Sequence, residues 1–155
     1  MTRRFFDDFE VGERFTTEAR TITENDIVQF ADLSGDHHRL HLDEAYAKKT
    51  PFGGRIAHGL LGLSIASGLW VRLGLLEEGV IAFLGLAWKF IAPVRIGDAV
   101  HADVIVKEKR PSRKPDRGIL TLEAAVLNQR NETVQEGSWT LLLKRRQEKR
   151  SSRSV

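Results

Sequence analysis

Ala57-His-Gly-Leu-Leu-Gly-Leu-Ser-Ile-Ala-Ser-Gly-Leu-Trp-Val-Arg-Leu73 has a helical pattern and is apolar on nearly every side. A surface helix keeps a polar face, so a helix without one has to be surrounded by protein. Gly59, Gly62, Ala66, Ser67 and Gly68 are small enough to let other backbone come close. A membrane span needs about 20 consecutive apolar residues. Across Ile56–Leu76 the pattern is interrupted by His58, Arg72 and four glycines. The stretch therefore predicts a buried helix, and the rest of the chain has to supply what buries it.

The sequence downstream supplies a sheet. Val80–Phe90 is a long strand candidate, and Pro93–Asp98 is a turn-rich link. Ala99–Lys109 alternates, with Val100, Ala102, Val104 and Val106 on one face, the period of a half-buried strand. A charged loop, Pro111–Gly118, precedes a hairpin of Gly118–Gln129 and Thr133–Leu143. Four long strands joined by short connections predict an antiparallel sheet curved around the helix, an α+β domain.

Upstream, the pattern is a strand from Phe15 to Ile22 after a Gly12 turn, then a helix from Thr23 to about Leu33. Thr23 with Asp26 has the spacing of an N-terminal capping box. Ser34-Gly35-Asp36 ends that helix, Asp36–Leu42 is a loop, and Asp43 caps a short helix over Glu44–Lys49. Thr50–Gly54 is irregular, because Pro51 and two glycines oppose regular structure.

The 155 residues suffice for one domain with one core. The net charge of +3 is unevenly placed. Residues 144–155 hold six basic groups against Glu148, a net +5, which leaves −2 on residues 1–143. One domain over 1–143 and a disordered basic tail over 144–155 are expected. No aromatic residue interleaves with the tail's charges, as base stacking would require, so no nucleic-acid partner is expected. The chain has no cysteine, and Met1–Phe9 lacks the apolar core of a signal peptide. A cytoplasmic protein without a membrane partner is the corresponding expectation.

Chemistry concentrates between Phe30 and Trp70. Asp36 and His41 lie five residues apart between two helices. A carboxylate and an imidazole aimed into one cavity can share the proton transfers of adding or removing water. A turn aspartate and a surface histidine have the same spacing. His37, His38 and His41 form H-H-x-x-H, but without cysteine or a helical H-E-x-x-H spacing no metal site is expected. His58-Gly59 opens the long helix, where free N–H groups favour a partial negative charge on an acyl oxygen. Packing alone also explains a glycine there. Ser67 is open to reading as a core hydroxyl bonded to its own backbone. No G-x-S-x-G elbow and no P-loop occurs.

Together these residues resemble a family. Phe30-Ala-Asp-Leu-Ser-Gly-Asp36, Leu40-His-Leu-Asp-Glu-Ala45 and Pro51-Phe-Gly-Gly-Arg-Ile-Ala-His-Gly59 are similar to the hydratase-2 motif of the MaoC-like (R)-specific enoyl-CoA hydratases. The likeness continues through Phe83–Asp98 and covers most of residues 10–143. It implies a hotdog fold, a long central helix wrapped by a curved antiparallel sheet. It also implies a homodimer or higher homo-oligomer with acyl-CoA bound near the protomer interface. The activity implied is reversible hydration of a 2-enoyl-CoA to a 3-hydroxyacyl-CoA, with coenzyme A entering as part of the substrate and no separate cofactor. Asp36 and His41 become the catalytic pair, with the Gly59 amide as oxyanion donor. Ser67, His58 and Phe52 become substrate-binding residues. Hotdog domains also resemble acyl-CoA thioesterases, and a non-catalytic acyl-CoA-binding module is a further alternative. One departure stands out: the motif has Asn-Pro before its Leu-His step, and this chain has His38-Arg39.

Overall fold

The computed structural model describes residues 3–147. A 3₁₀ turn at Phe6–Asp8 leads to β1 (Arg14–Thr16) and β2 (Arg20–Thr21), then α1 (Glu24–Ser34), α2 (Arg39–Leu42) and α3 (Glu44–Ala47). The long helix α4 (Gly59–Arg72) follows. The chain closes with β3 (Val80–Phe90), β4 (Ala99–Pro111), β5 (Arg117–Leu127) and β6 (Thr133–Lys144). The strands run antiparallel in the order β1-β4-β5-β6-β3, with β2 also on β4. The sheet is curved, and α4 packs on it in the hotdog arrangement.

The predicted alternation on β4 holds, since Val100, Ala102, Val104 and Val106 are all buried. They meet Leu120, Leu122, Ala124 and Val126 of β5, Trp139, Leu141 and Leu143 of β6, and Leu61, Ala66 and Trp70 of α4 in one core. Trp139, Leu120, Leu122 and Leu143 are fully enclosed. Burying a side chain of this kind stabilises by roughly 1.5–3 kcal/mol. The β5–β6 hairpin turns at Asn128, whose side-chain oxygen accepts from the Arg130 and Glu132 amides.

Four expectations are corrected. The strand over Phe15–Ile22 is two short strands, because buried Thr17 uses its hydroxyl to accept from the Ala102 amide and interrupts the ladder. The loop over Asp36–Leu42 contains a helical turn, α2. Pro111 belongs to β4, paired opposite Gly118 at the strand's end, where a missing N–H is tolerated. And α4 is not enclosed on every side. Leu61, Gly62, Ala66, Leu69 and Trp70 are buried, but Leu60 is 60% and Val71 53% exposed. The edge strand β3 likewise leaves Phe83, Leu84 and Leu86 exposed.

The tail does not begin at residue 144. Lys144 closes β6 opposite Arg117. Arg145 bonds Asp7 at 3.0 Å, and Arg146 reaches Asp8 at 2.6 Å. The Arg146 guanidinium holds the Asp8 carboxyl below the usual carboxylate range. The remainder of the tail expected to be disordered, 148–155, lies outside the described residues. Among the described residues no helix is long and apolar enough to cross a membrane.

Candidate active site

The site is assembled from the end of α1 onward. The Thr23 hydroxyl accepts from the Asp26 amide, and the Asp26 carboxylate accepts from the Thr23 amide, so the predicted capping box starts the helix. Gly35 ends it with φ of +79°, a conformation glycine adopts without strain. The chain then turns sharply into Asp36. Its amide donates to the Ser34 hydroxyl, and its carboxylate accepts from the His38 amide at 3.2 Å.

The departure at His38-Arg39 has a structural role. His38 is the N-cap of α2, and its Nδ1 accepts from the Leu40 amide at 3.1 Å. A ring nitrogen thus satisfies one of the orphan donors of a helix start, a task in which asparagine excels. Arg39 contacts the Asp43 carboxylate at 2.8 Å and lies over the Tyr46 ring. The short helix that carries His41 is therefore held at both ends without proline.

His41 is half-buried. Its Nδ1 lies 2.8 Å from the Ile56 carbonyl oxygen. A carbonyl only accepts, so Nδ1 carries the hydrogen and Nε2 keeps its lone pair. Burial pushes the imidazole below its ordinary range. The Ile56 bond opposes that shift, His58 adds to it, and Asp36 opposes it. Arg55 ties down the same turn, donating from Nε to the His41 carbonyl at 2.6 Å and pairing with Glu24 at 2.6 Å.

One side-chain oxygen of Asp36 and one ring nitrogen each of His41 and His58 lie within 4.8 Å of one another. These are donor types a divalent metal accepts. The two rings are stacked, however, with centroids 3.8 Å apart and planes 29° apart. Ring lone pairs lie in the ring plane, so nearly parallel stacked rings do not aim both at one ion at the roughly 2.0–2.1 Å a zinc–nitrogen bond needs. The H-H-x-x-H set does not converge either: His37 turns to Asp32 at 2.9 Å, and His38 caps α2.

His41 opens on a cleft of about 520 Å³ lined also by Phe52, Ile56, Gly59, Leu60 and Phe90–Val94, with Gln135 at its inner wall. Gly59 begins α4, and His58 at the N-cap makes no side-chain cap bond. The first N–H groups of the helix are thus left to an acceptor in the cleft. A Cβ on Gly59 would stand 2.7 Å from the Phe90 ring, so a side chain there would displace the cleft wall. Of the expected substrate-binding residues, Phe52 is on the cleft. His58 is 3% exposed and lies behind His41, out of the lining. Ser67 is exposed on α4 and is not a core hydroxyl; eight residues separate it from Gly59, roughly 12 Å along the helix.

Gln135 went unnoticed in the sequence. It is 2% exposed, accepts from the Trp88 indole at 3.0 Å and donates to the Gly59 carbonyl at 3.1 Å. Its amide nitrogen occupies the notch left by Gly62, where a Cβ would collide with it. The available signal was one polar residue at a buried position of a strand whose other buried residues are Val134, Trp139, Leu141 and Leu143.

Comparison with known proteins agrees with this geometry. The MaoC like domain is matched over residues 8–127. The chain belongs to the MaoC-like dehydratase family. It is 42% identical over 111 residues to an (R)-specific enoyl-CoA hydratase of Rhodospirillum rubrum, covering 71% of this chain and 74% of that protein. To Protein MaoC of Klebsiella aerogenes it is 41% identical over 108 residues, 69% of this chain, and spans 32% of that longer protein. The crystal structure of the MaoC-like dehydratase from Rhodospirillum rubrum superposes with a TM-score of 0.85 at 34% identity, covering 94% of this chain and 99% of that one. The MaoC-like fold thus accounts for α4, the sheet and the Asp36–His41 arm together.

Proposed function

We propose that this MaoC-like protein is a hydro-lyase that reversibly adds water to the C2–C3 double bond of a 2-enoyl-CoA, giving the (R)-3-hydroxyacyl-CoA. The observation that carries the reading is the convergence of the Asp36 carboxylate with His41, whose Nε2 lone pair is freed by the Ile56 bond beside an apolar cleft. Asp36 and His41 hold one water. As its oxygen bonds to C3, the pair takes one proton from it and supplies one proton to C2. The double-bond electrons move toward the thioester oxygen, where the Gly59 amide stabilises the enolate charge. Burial helps by keeping His41 unprotonated near neutral pH. Coenzyme A belongs to the substrate, and this scheme uses no separate cofactor.

The acyl chain enters between Phe52, Phe90 and the start of α4. A second copy of the chain completes the site in this reading. Exposed Leu60 of α4 and Phe90 of the edge strand β3 both line the cleft, and an unpaired apolar edge strand invites pairing. Sedimentation should show a dimer or higher homo-oligomer, and Leu84→Glu should shift it toward monomer. Turnover is tested by loss of the conjugated absorbance of crotonyl-CoA and longer 2-enoyl-CoAs, with free thiol followed in parallel. Absorbance loss without thiol release is expected. Thiol release would make it a thioesterase, and binding without either would make it an acyl-CoA-binding module.

A further inference from the structure

His58 is the buried group that this scheme leaves without a task. It lies at the N-cap of α4, yet its ring turns away from the helix amides and from the cleft. Nε2 stands 2.9 Å from the backbone carbonyl of Asp36, 22 residues earlier in the chain. Because a carbonyl only accepts, Nε2 carries the hydrogen. The ring face stacks on His41 at 3.8 Å, and its other neighbour is the Phe30 ring at 5.0 Å. Among the described residues Nδ1 is buried without a partner, an arrangement native proteins rarely keep without a reason.

These contacts bring three separate pieces of the chain to one ring. Asp36 belongs to the turn after α1, and among the described residues its carboxylate accepts a hydrogen bond from the His38 amide. His41 belongs to α2. The segment entering α4 is tied to the β3–β4 link by the Ala57 amide on the Val94 carbonyl, and the start of α4 is tied to β6 by Gln135 on Gly59. His58 extends that anchorage to both members of the pair, to Asp36 by a hydrogen bond and to His41 by its ring face. We propose that His58 is a positioning residue for the reaction: one buried imidazole sets the separation of Asp36 and His41 and refers both to the Gly59 amide of the next residue. A direct role in binding substrate is a different assignment, and its position behind His41 does not favour it. Burial lowers the proton affinity of His41, and electrostatic repulsion from His58 adds to that effect.

The proposal rests on Asp36 and His41 being the water-activating pair. His58→Gln retains an N–H at the Nε2 position and loses the flat stacked ring. His58→Phe retains the ring and loses the donor. Misplacing catalytic groups by an ångström can lower a rate about 100-fold. In crotonyl-CoA hydration, His58→Phe should lower kcat by about 10–100-fold with KM little changed and the thermal midpoint near wild type. His58→Gln should recover part of that loss. An NMR titration of His41, which needs no substrate, should show its midpoint moved upward in His58→Phe, where the His58 contribution that lowers it is lost. An unmoved His41 titration, wild-type kcat in His58→Phe, or a loss confined to KM would each overturn the positioning role. A shifted His41 titration in a protein that never hydrates enoyl-CoA would uphold the positioning role and overturn the hydratase reading instead.

Discussion

The sheet β4–β5–β6 and the arm from Asp36 to Gly59 are held in place by different physics. In the sheet, each inward residue has several apolar neighbours, and the three strands pair along most of their length. In the arm, position depends on single polar bonds: His38 on Leu40, His41 on Ile56, Arg55 on His41, His58 on Asp36. Apolar burial is non-directional and additive over area, so the sheet tolerates small shifts. A hydrogen bond is directional and is lost over a fraction of an ångström. The sheet therefore carries stability and the arm carries geometry, and substitutions should separate the two.

The largest effect should come from the arm. His41→Ala is expected to lower kcat by about 10²–10⁴-fold while a circular-dichroism melt stays close to wild type. Leu122→Ala, at a fully buried position of β5, should do the reverse: a loss of about 2–5 kcal/mol in urea denaturation, with kcat of the folded protein nearly unchanged. A comparable loss of activity in Leu122→Ala, or of stability in His41→Ala, would break the division. Gln135 belongs to both regions, since it stands on β6 and donates to Gly59. Gln135→Leu should lower kcat about 3–10-fold, the equivalent of one ordinary hydrogen bond of about 1 kcal/mol.

The smallest effect concerns pH. His41 has a folded-state proton affinity below the ordinary imidazole value, so it charges more readily unfolded than folded. Its contribution to stability is fully present above the unfolded value of about 6.5 and is lost as pH falls through the lower folded one. The acid limb of kcat/KM should follow the same lowered ionisation, so activity should persist below pH of about 6.5. An acid limb above that pH would assign the ionisation to another group.

The sequence already contained most of this, unevenly. Alternation over Val100–Val106, the capping box at Thr23 and Asp26, and the glycine at 35 each act locally, and local physics can be read from local pattern. The role of His38 as cap was not legible, because an imidazole accepting a helix amide has no spacing signature. His58 and Gln135 escaped for a different reason: their partners, Asp36 and Gly59, are 22 and 76 residues away. The bare side of α4 was misread because hydropathy measures how much apolar surface a helix has and is silent on whether this chain or another copy covers it.

The central claim is that Asp36 and His41 act as one unit on one water. Groups that act as a unit give strongly non-additive losses when removed together. The deciding measurement is kcat for crotonyl-CoA hydration in Asp36→Asn, in His41→Ala and in the double variant, each with its melt. A double variant no slower than the more damaged single variant is the predicted result. Losses that multiply, or near wild-type rates in either single variant, would contradict it.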